Sequence, residues 1–273
     1  MKSSRPLAGM DRKTEGAMRR LRIVIGAVAV VSITPALAIV GGAPPAPENL
    51  ARSVVMVVGS FGTLCTATVI APDLLLTVAH CLAPSAEYKL VDAESGQAPV
   101  LKDIAGIERH PRFELKKLFA HLPTADVALL KLAASLPAEF APLPLDEETH
   151  PATAGDSFTV AGYGVSARGK SDSGGTLRAA TLVALDGPDI AQIRLVDPRT
   201  QGRRAGLGAC TSDSGAPALR KSDSGLAIVG IVSWSTGPDM HGGCGGVTGV
   251  TALARYRDWI AETARSLRSS LGP

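Results

Sequence analysis

Short runs rich in Val, Ile, Leu and Thr recur along the chain, each bounded by Gly, Pro, Asp or Ser. Ser53–Val58, Ala67–Ile70, Leu74–Val78, Val127–Leu130, Phe158–Ala161, Ile193–Val196 and Leu226–Val232 are the clearest, and their length and β-branched content predict strands. Many short strands with turn signals and little helical periodicity indicate an all-β barrel or sandwich. The stretch from Pro142 to Gly155, rich in Pro, Thr, Asp and Glu, divides the runs into two groups and predicts a linker between two β units. After Ala254 the period changes. Tyr256, Trp259, Ile260, Thr263, Ala264 and Leu267 fall on one helical face, which predicts a closing amphipathic helix over about 254–268.

One apolar run does not fit this pattern. Residues 23–38, IVIGAVAVVSITPALA, follow Arg19, Arg20 and Arg22 and end in Ala36-Leu37-Ala38. A charged lead, an apolar middle and a small-residue end make a secretory signal peptide, residues 1–38, with Met18 as an alternative start. Interrupted by Pro35, the run falls short of the about 20 residues that a membrane-spanning helix needs, so no stable membrane anchor is expected after cleavage. The formal charge of +3 changes meaning accordingly: residues 1–38 hold seven Lys or Arg against two acids, and the remainder is slightly acidic. Nothing in that balance favours a nucleic-acid partner. Four cysteines, Cys65, Cys81, Cys210 and Cys244, form an even set in an exported chain, which favours two disulfides. Without a Cys-x-x-Cys pair or a nearby His, they do not read as a zinc site, and neither a metal nor any other cofactor is expected.

Ser212-Asp213-Ser214-Gly215 sets a serine between an acid and a glycine on a tight turn, but the same tetrad stands at Ser171–Gly174 and Ser222–Gly225. A serine hydroxyl is a poor nucleophile at neutral pH, so it needs a base and a group to orient that base. His80 is the best candidate base, because it ends the apolar run from Leu74 and is followed by Cys81. His110, His121, His150 and His241 lie among polar or Pro-rich residues and read as solvated. Asp126, directly before the apolar run Val127–Leu130, either caps a turn or partners His80.

At this point the chain resembles the trypsin-like (chymotrypsin-fold) serine proteases. The resemblance rests on Ile39-Val40-Gly41-Gly42, Thr77-Val78-Ala79-His80-Cys81, Asp126-Val127-Ala128-Leu129-Leu130, Gly162-Tyr163-Gly164, Cys210–Pro217, Ser233-Trp234 and Tyr256–Ile260, in the family's order. It implies two six-stranded antiparallel β-barrels, about 39–145 and 152–253, with the active site between them and a C-terminal α-helix. It also implies His80, Asp126 and Ser214 as the catalytic triad, and the amides of Ser212 and Ser214 as the oxyanion hole. The tetrads at Ser171 and Ser222 are then decoys in loops.

Further roles follow from the resemblance. Gly208 would be the floor of a substrate pocket that includes Ser233, Trp234 and Ser235, with Ser235 replacing the family's usual wall glycine and narrowing the pocket. Without an acid at Gly208, a buried cationic side chain would lack a partner, so an uncharged small or medium apolar P1 residue is expected. Cys65 would pair with Cys81 and Cys210 with Cys244. Cleavage before Ile39 would release an α-amine that pairs with Asp213, so that export and activation become one event. The implied function is a secreted, monomeric serine endopeptidase acting on proteins or peptides. Ser212 stands where the family usually has Gly, and this keeps an alternative open: a catalytically weak or silent homologue that acts as a binding protein.

Overall fold

The computed structural model describes residues 39–82, 86–92, 99–147, 151–185, 191–222 and 225–271. The signal segment, His150, and Asp223 and Ser224 of the third Ser-Asp-Ser-Gly copy lie outside them. Each of the seven apolar runs falls on a strand. The first six strands are β1 Val54–Gly59, β2 Leu64–Ala71, β3 Leu74–Thr77, β4 Tyr88–Asp92, β5 Val100–Arg109 and β6 Ala128–Leu132. They close into an antiparallel barrel in the order β1-β2-β3-β6-β5-β4. The second six are β7 Ser157–Gly162, β8 Arg178–Ala184, β9 Gln192–Val196, β10 Pro217–Ser222, β11 Gly225–Ser235 and β12 Val247–Ala252. They close in the order β7-β8-β9-β12-β11-β10. The pairing scheme of the first barrel is thus repeated in the second, although the sequence shows no internal repeat. The predicted fold of two six-stranded barrels is the observed one.

Five strands have no strong sequence signal. β5 is exposed along most of its length and carries Lys102, Asp103, Glu108 and Arg109; β12 is small-residue rich with Gly249 at its centre. Such segments are poor strand formers alone, but barrel closure pairs both of their edges, and pairing overrides propensity.

The two barrels pack against one another through elements that also form the site. All of β2 except Leu64 is buried, on both faces. Within the predicted linker, the Leu143 amide donates to Val69 in β2, while Asp146 and Ile228 tie the same segment to β11. The closing helix, Arg257–Ser266, follows the second barrel in sequence, but its buried Ile260 and Ala264 join the core of the first. Tyr256 and Trp259 hold His110 between them, with ring centroids 5.2 and 4.8 Å away. His110 is therefore buried rather than solvated: its Nδ1 accepts the Arg112 amide, and burial, then the Arg112 charge, push its pKa down. His241 is exposed as expected, whereas His121 stacks on Trp234 with centroids 4.4 Å apart.

Candidate active site

Asp126 is delivered by a tight turn that enters β6, in which the Asp126 and Val127 amides bond back to Thr124 and Ala125. Its carboxylate is fully buried and needs donors. His80, on the short helical turn Ala79–Cys81, supplies two: its main-chain N–H reaches Oδ1 at 2.9 Å and its Nδ1 reaches Oδ2 at 2.7 Å. Ser233 supplies a third, its hydroxyl donating to Oδ2. A bulge in the β11–β12 ladder between Val232 and Trp234 leaves Ser233 out of register and aims it at Asp126. Ser233, expected in the substrate pocket, thus turns its side chain toward the acid.

A carboxylate can only accept here, so His80 Nδ1 carries the hydrogen and the lone pair of Nε2 faces outward. That lone pair meets the hydroxyl of Ser214 at 3.0 Å. The three residues lie on two barrels and are 134 positions apart at the widest, yet they form one continuous chain of hydrogen bonds. Asp126 is a partner of His80, not merely a turn cap.

Ser214 stands on a turn held from many sides. The Ser214 carbonyl accepts the Thr66 amide of β2 at 2.9 Å, and the Gly215 amide donates to Val232 at 2.8 Å. Gly215 has φ +85°, and a β-carbon there would collide with the Thr66 carbonyl and the Thr77 hydroxyl, so only glycine fits. Ser212 has φ +74°, in the left-handed region that costs a residue with a side chain roughly 1–2 kcal/mol. Among the described residues, the N–H groups of Ser212 and Ser214 take no partner within the protein. The other tetrad differs: Ser173 is buried, its hydroxyl accepts the Ser166 and Ala167 amides and donates to the Lys170 carbonyl, and it faces no histidine.

Asp213 points away from the reactive face. Its carboxyl is fully buried against Gly162 and Gly164, where a β-carbon on either glycine would overlap it. Burial pushes its pKa up to about 7, against the opposing effect of amide donors from Cys210 at 2.9 Å and Gly164 at 2.8 Å. Ile39, also fully buried, packs in the core of the second barrel with Ala209 and Ala216. Val40 next to it bridges to Gly208, and Gly41 is glycine because a side chain would strike the Gly206 carbonyl.

Ser235 of β11 pairs with Thr248 of β12, which lies against Gly208, and the Cys210–Cys244 disulfide ties the Gly208 segment to the one leading into β12. The other bridge, Cys65–Cys81, lies beside His80. A β-carbon at Gly208 would stand 3.0 Å from Gly245 Cα and 3.3 Å from the Thr248 hydroxyl, which is itself bonded to the Ala209 amide. The side chain of Thr248 therefore lies against Gly208, the expected floor. Sequence reasoning missed Thr248 because β12 carries no strong strand signal, and missed the His121–Trp234 stack because nothing local marks a histidine as facing an indole.

The Trypsin family model matches residues 39–260. Kallikrein-11 of Homo sapiens is 30% identical over 223 residues, covering 74% of this chain and 72% of that protein. Trypsin alpha of Drosophila melanogaster is 26% identical over 74% of this chain and 78% of its own length. Hypodermin-B of Hypoderma lineatum is 27% identical over 89% of this chain and 94% of its own. With two closed six-stranded barrels and a family match that spans both of them, the chain belongs to the trypsin family of serine proteases.

Proposed function

We propose that this protein is a secreted serine endopeptidase that cleaves peptide bonds through an acyl-enzyme. The observation that carries the reading is the unbroken relay from Asp126 through His80 to Ser214, at 2.7 and 3.0 Å. Ser214 Oγ attacks the scissile carbonyl as His80 Nε2 takes its proton; Asp126 stabilises the imidazolium; the proton then passes to the leaving amine. Water repeats the sequence on the acyl-enzyme. The charge that develops on the carbonyl oxygen is met by the N–H groups of Ser212 and Ser214, fixed before reaction and so free of reorganisation cost. P1 is an uncharged small or medium apolar residue, since Gly208 supplies no anion and Thr248 limits depth.

Export rests on the signal pattern of residues 1–38 and on two disulfides, which persist in oxidising compartments. Activation rests on Ile39 and Asp213. In the full chain the Ile39 nitrogen is a peptide nitrogen; cleavage after Ala38 makes it an ammonium that neutralises a carboxyl whose charge is otherwise costly to bury.

The second reading, a silent homologue that binds a partner, draws on the left-handed Ser212. An active-site phosphonofluoridate separates the two. Stoichiometric labelling of Ser214 in the chain that begins at Ile39, together with turnover of a peptide library, is the expected result. An unlabelled, folded protein overturns the endopeptidase reading.

A further inference from the structure

Rotation about φ of Ser212 links two peptide units. The first, Thr211–Ser212, carries the N–H assigned above to the oxyanion; the second, Ser212–Asp213, carries the Ser212 carbonyl. A serine at φ +74° relaxes by a concerted turn of both units, which takes that N–H out of the site, so holding either unit resists it. Both units are pinned. The Val165 amide donates to the Thr211 carbonyl at 2.9 Å, and the Thr66 hydroxyl donates to the Ser212 carbonyl at 3.0 Å.

Thr66 is well placed to act as a latch. It is fully buried on β2 of the first barrel, and its hydroxyl oxygen accepts the Tyr163 amide at 3.1 Å, which fixes the direction in which its own hydrogen points. Its N–H reaches the Ser214 carbonyl at 2.9 Å, and its carbonyl accepts the Thr77 hydroxyl at 2.8 Å. One residue of the first barrel therefore holds the nucleophile turn of the second on both sides of Asp213.

We propose that Thr66 is the positioning residue of the oxyanion hole: its hydroxyl holds Ser212 in the left-handed conformation that keeps the Ser212 N–H aimed at the substrate oxygen. This rests on the endopeptidase reading and adds to it a residue whose hydroxyl bonds to no member of the triad. It also explains how a serine is accommodated where the backbone favours glycine.

The test uses the chain that begins at Ile39, with a peptide p-nitroanilide carrying a small apolar P1 residue. Thr66→Val, which keeps the shape without the hydroxyl, is expected to lower kcat by about 10- to 100-fold, less than the 10²- to 10³-fold of deleting an oxyanion donor, with KM little changed. Thr66→Ser, which keeps the hydroxyl, stays near the parent. With Ser212→Gly in place, the loss from Thr66→Val shrinks to under about threefold, because glycine adopts positive φ without strain. An unchanged kcat, or an equal loss in both backgrounds, overturns the proposal and leaves Thr66 a packing residue. Should Thr66→Val not fold, the smaller Thr66→Ala takes its place in the same cycle. Crystals of these variants carrying Ser214→Ala decide the latch independently of turnover: a flipped Thr211–Ser212 peptide supports it, and an unmoved one overturns it. Absence of both turnover and labelling in the parent removes the endopeptidase reading alone.

Discussion

The carboxyl of Asp213 occupies the volume that a side chain on Gly164 would fill. The same holds at Gly162, which explains why glycines flank Tyr163. The Gly164 amide that donates to it belongs to the same segment as the Tyr163 amide bonded to Thr66. The buried acid and the turn that carries Ser214 are therefore held by one short stretch of backbone.

Asp213 makes the uncut chain sensitive to pH. An acid whose pKa is raised by folding contributes stability that is fully present below its ordinary value of 3.8 and is lost as pH rises through about 7. In urea titrations of a Ser214→Ala protein, the form extended before Ile39 should lose stability across that window, relative to the form that begins at Ile39, by a few kcal/mol. His110, whose pKa burial lowers, acts in the opposite sense, with stability lost as pH falls below its ordinary value, but equally in both forms. Parallel pH profiles for the two forms would remove the proposed Ile39–Asp213 pairing.

The relay predicts graded losses. Asp126→Asn should reduce kcat by about 10⁴-fold, because the amide no longer holds His80 in the required tautomer. Ser233→Ala removes one of three donors to a buried carboxylate and should cost about 10- to 100-fold in kcat with KM little changed, from the about 1.5–3 kcal/mol of a charged hydrogen bond. A rise in KM without loss of kcat after Ser233→Ala would return this residue to the substrate pocket. Steady-state kinetics on one peptide substrate reads both variants.

Specificity should resist a one-residue change. Gly208→Asp places a carboxylate where Thr248 and the Gly245 backbone already crowd the floor, so this variant alone should not gain cleavage after Arg or Lys. Combined with Thr248→Gly, it should gain that cleavage, at some cost in stability because the Ala209 amide loses its acceptor. A P1-diverse library reads the outcome, and strong Arg or Lys cleavage by the single variant would refute the role given to Thr248.

The two disulfides should separate stability from site geometry. Replacing Cys65 and Cys81 by Ser should cost about 3 kcal/mol, as expected for a closed loop of this size. Replacing Cys210 and Cys244 should cost a similar amount and also raise KM, since that bridge ties the nucleophile turn to the segment leading to Thr248. Urea denaturation and substrate titration together distinguish the effects.

Much of this protein is written locally. The seven apolar runs, the closing helix and the residues His80, Asp126 and Ser214 could be marked in the sequence, because strands, turns and nucleophile motifs depend on neighbours in the chain. Asp126 could not be raised above a possible turn cap by spacing alone; its distance of 2.7 Å from His80 did that. Strands such as β5 and β12 escaped notice because their stability comes from partners on both edges rather than from their own composition.

Tertiary structure alone decided the finer arrangement. It turned the Ser233 side chain to the acid through a bulge, buried His110 between two rings of the closing region, stacked His121 on Trp234, and set Thr248 against Gly208. It also set a hydroxyl 146 positions away, on the other barrel, against the carbonyl of the left-handed Ser212. The sequence determined which groups are present and which local conformations they favour. Contacts between barrels depend on closure and packing of distant segments, and these determine which conformations the favoured and disfavoured residues must finally adopt.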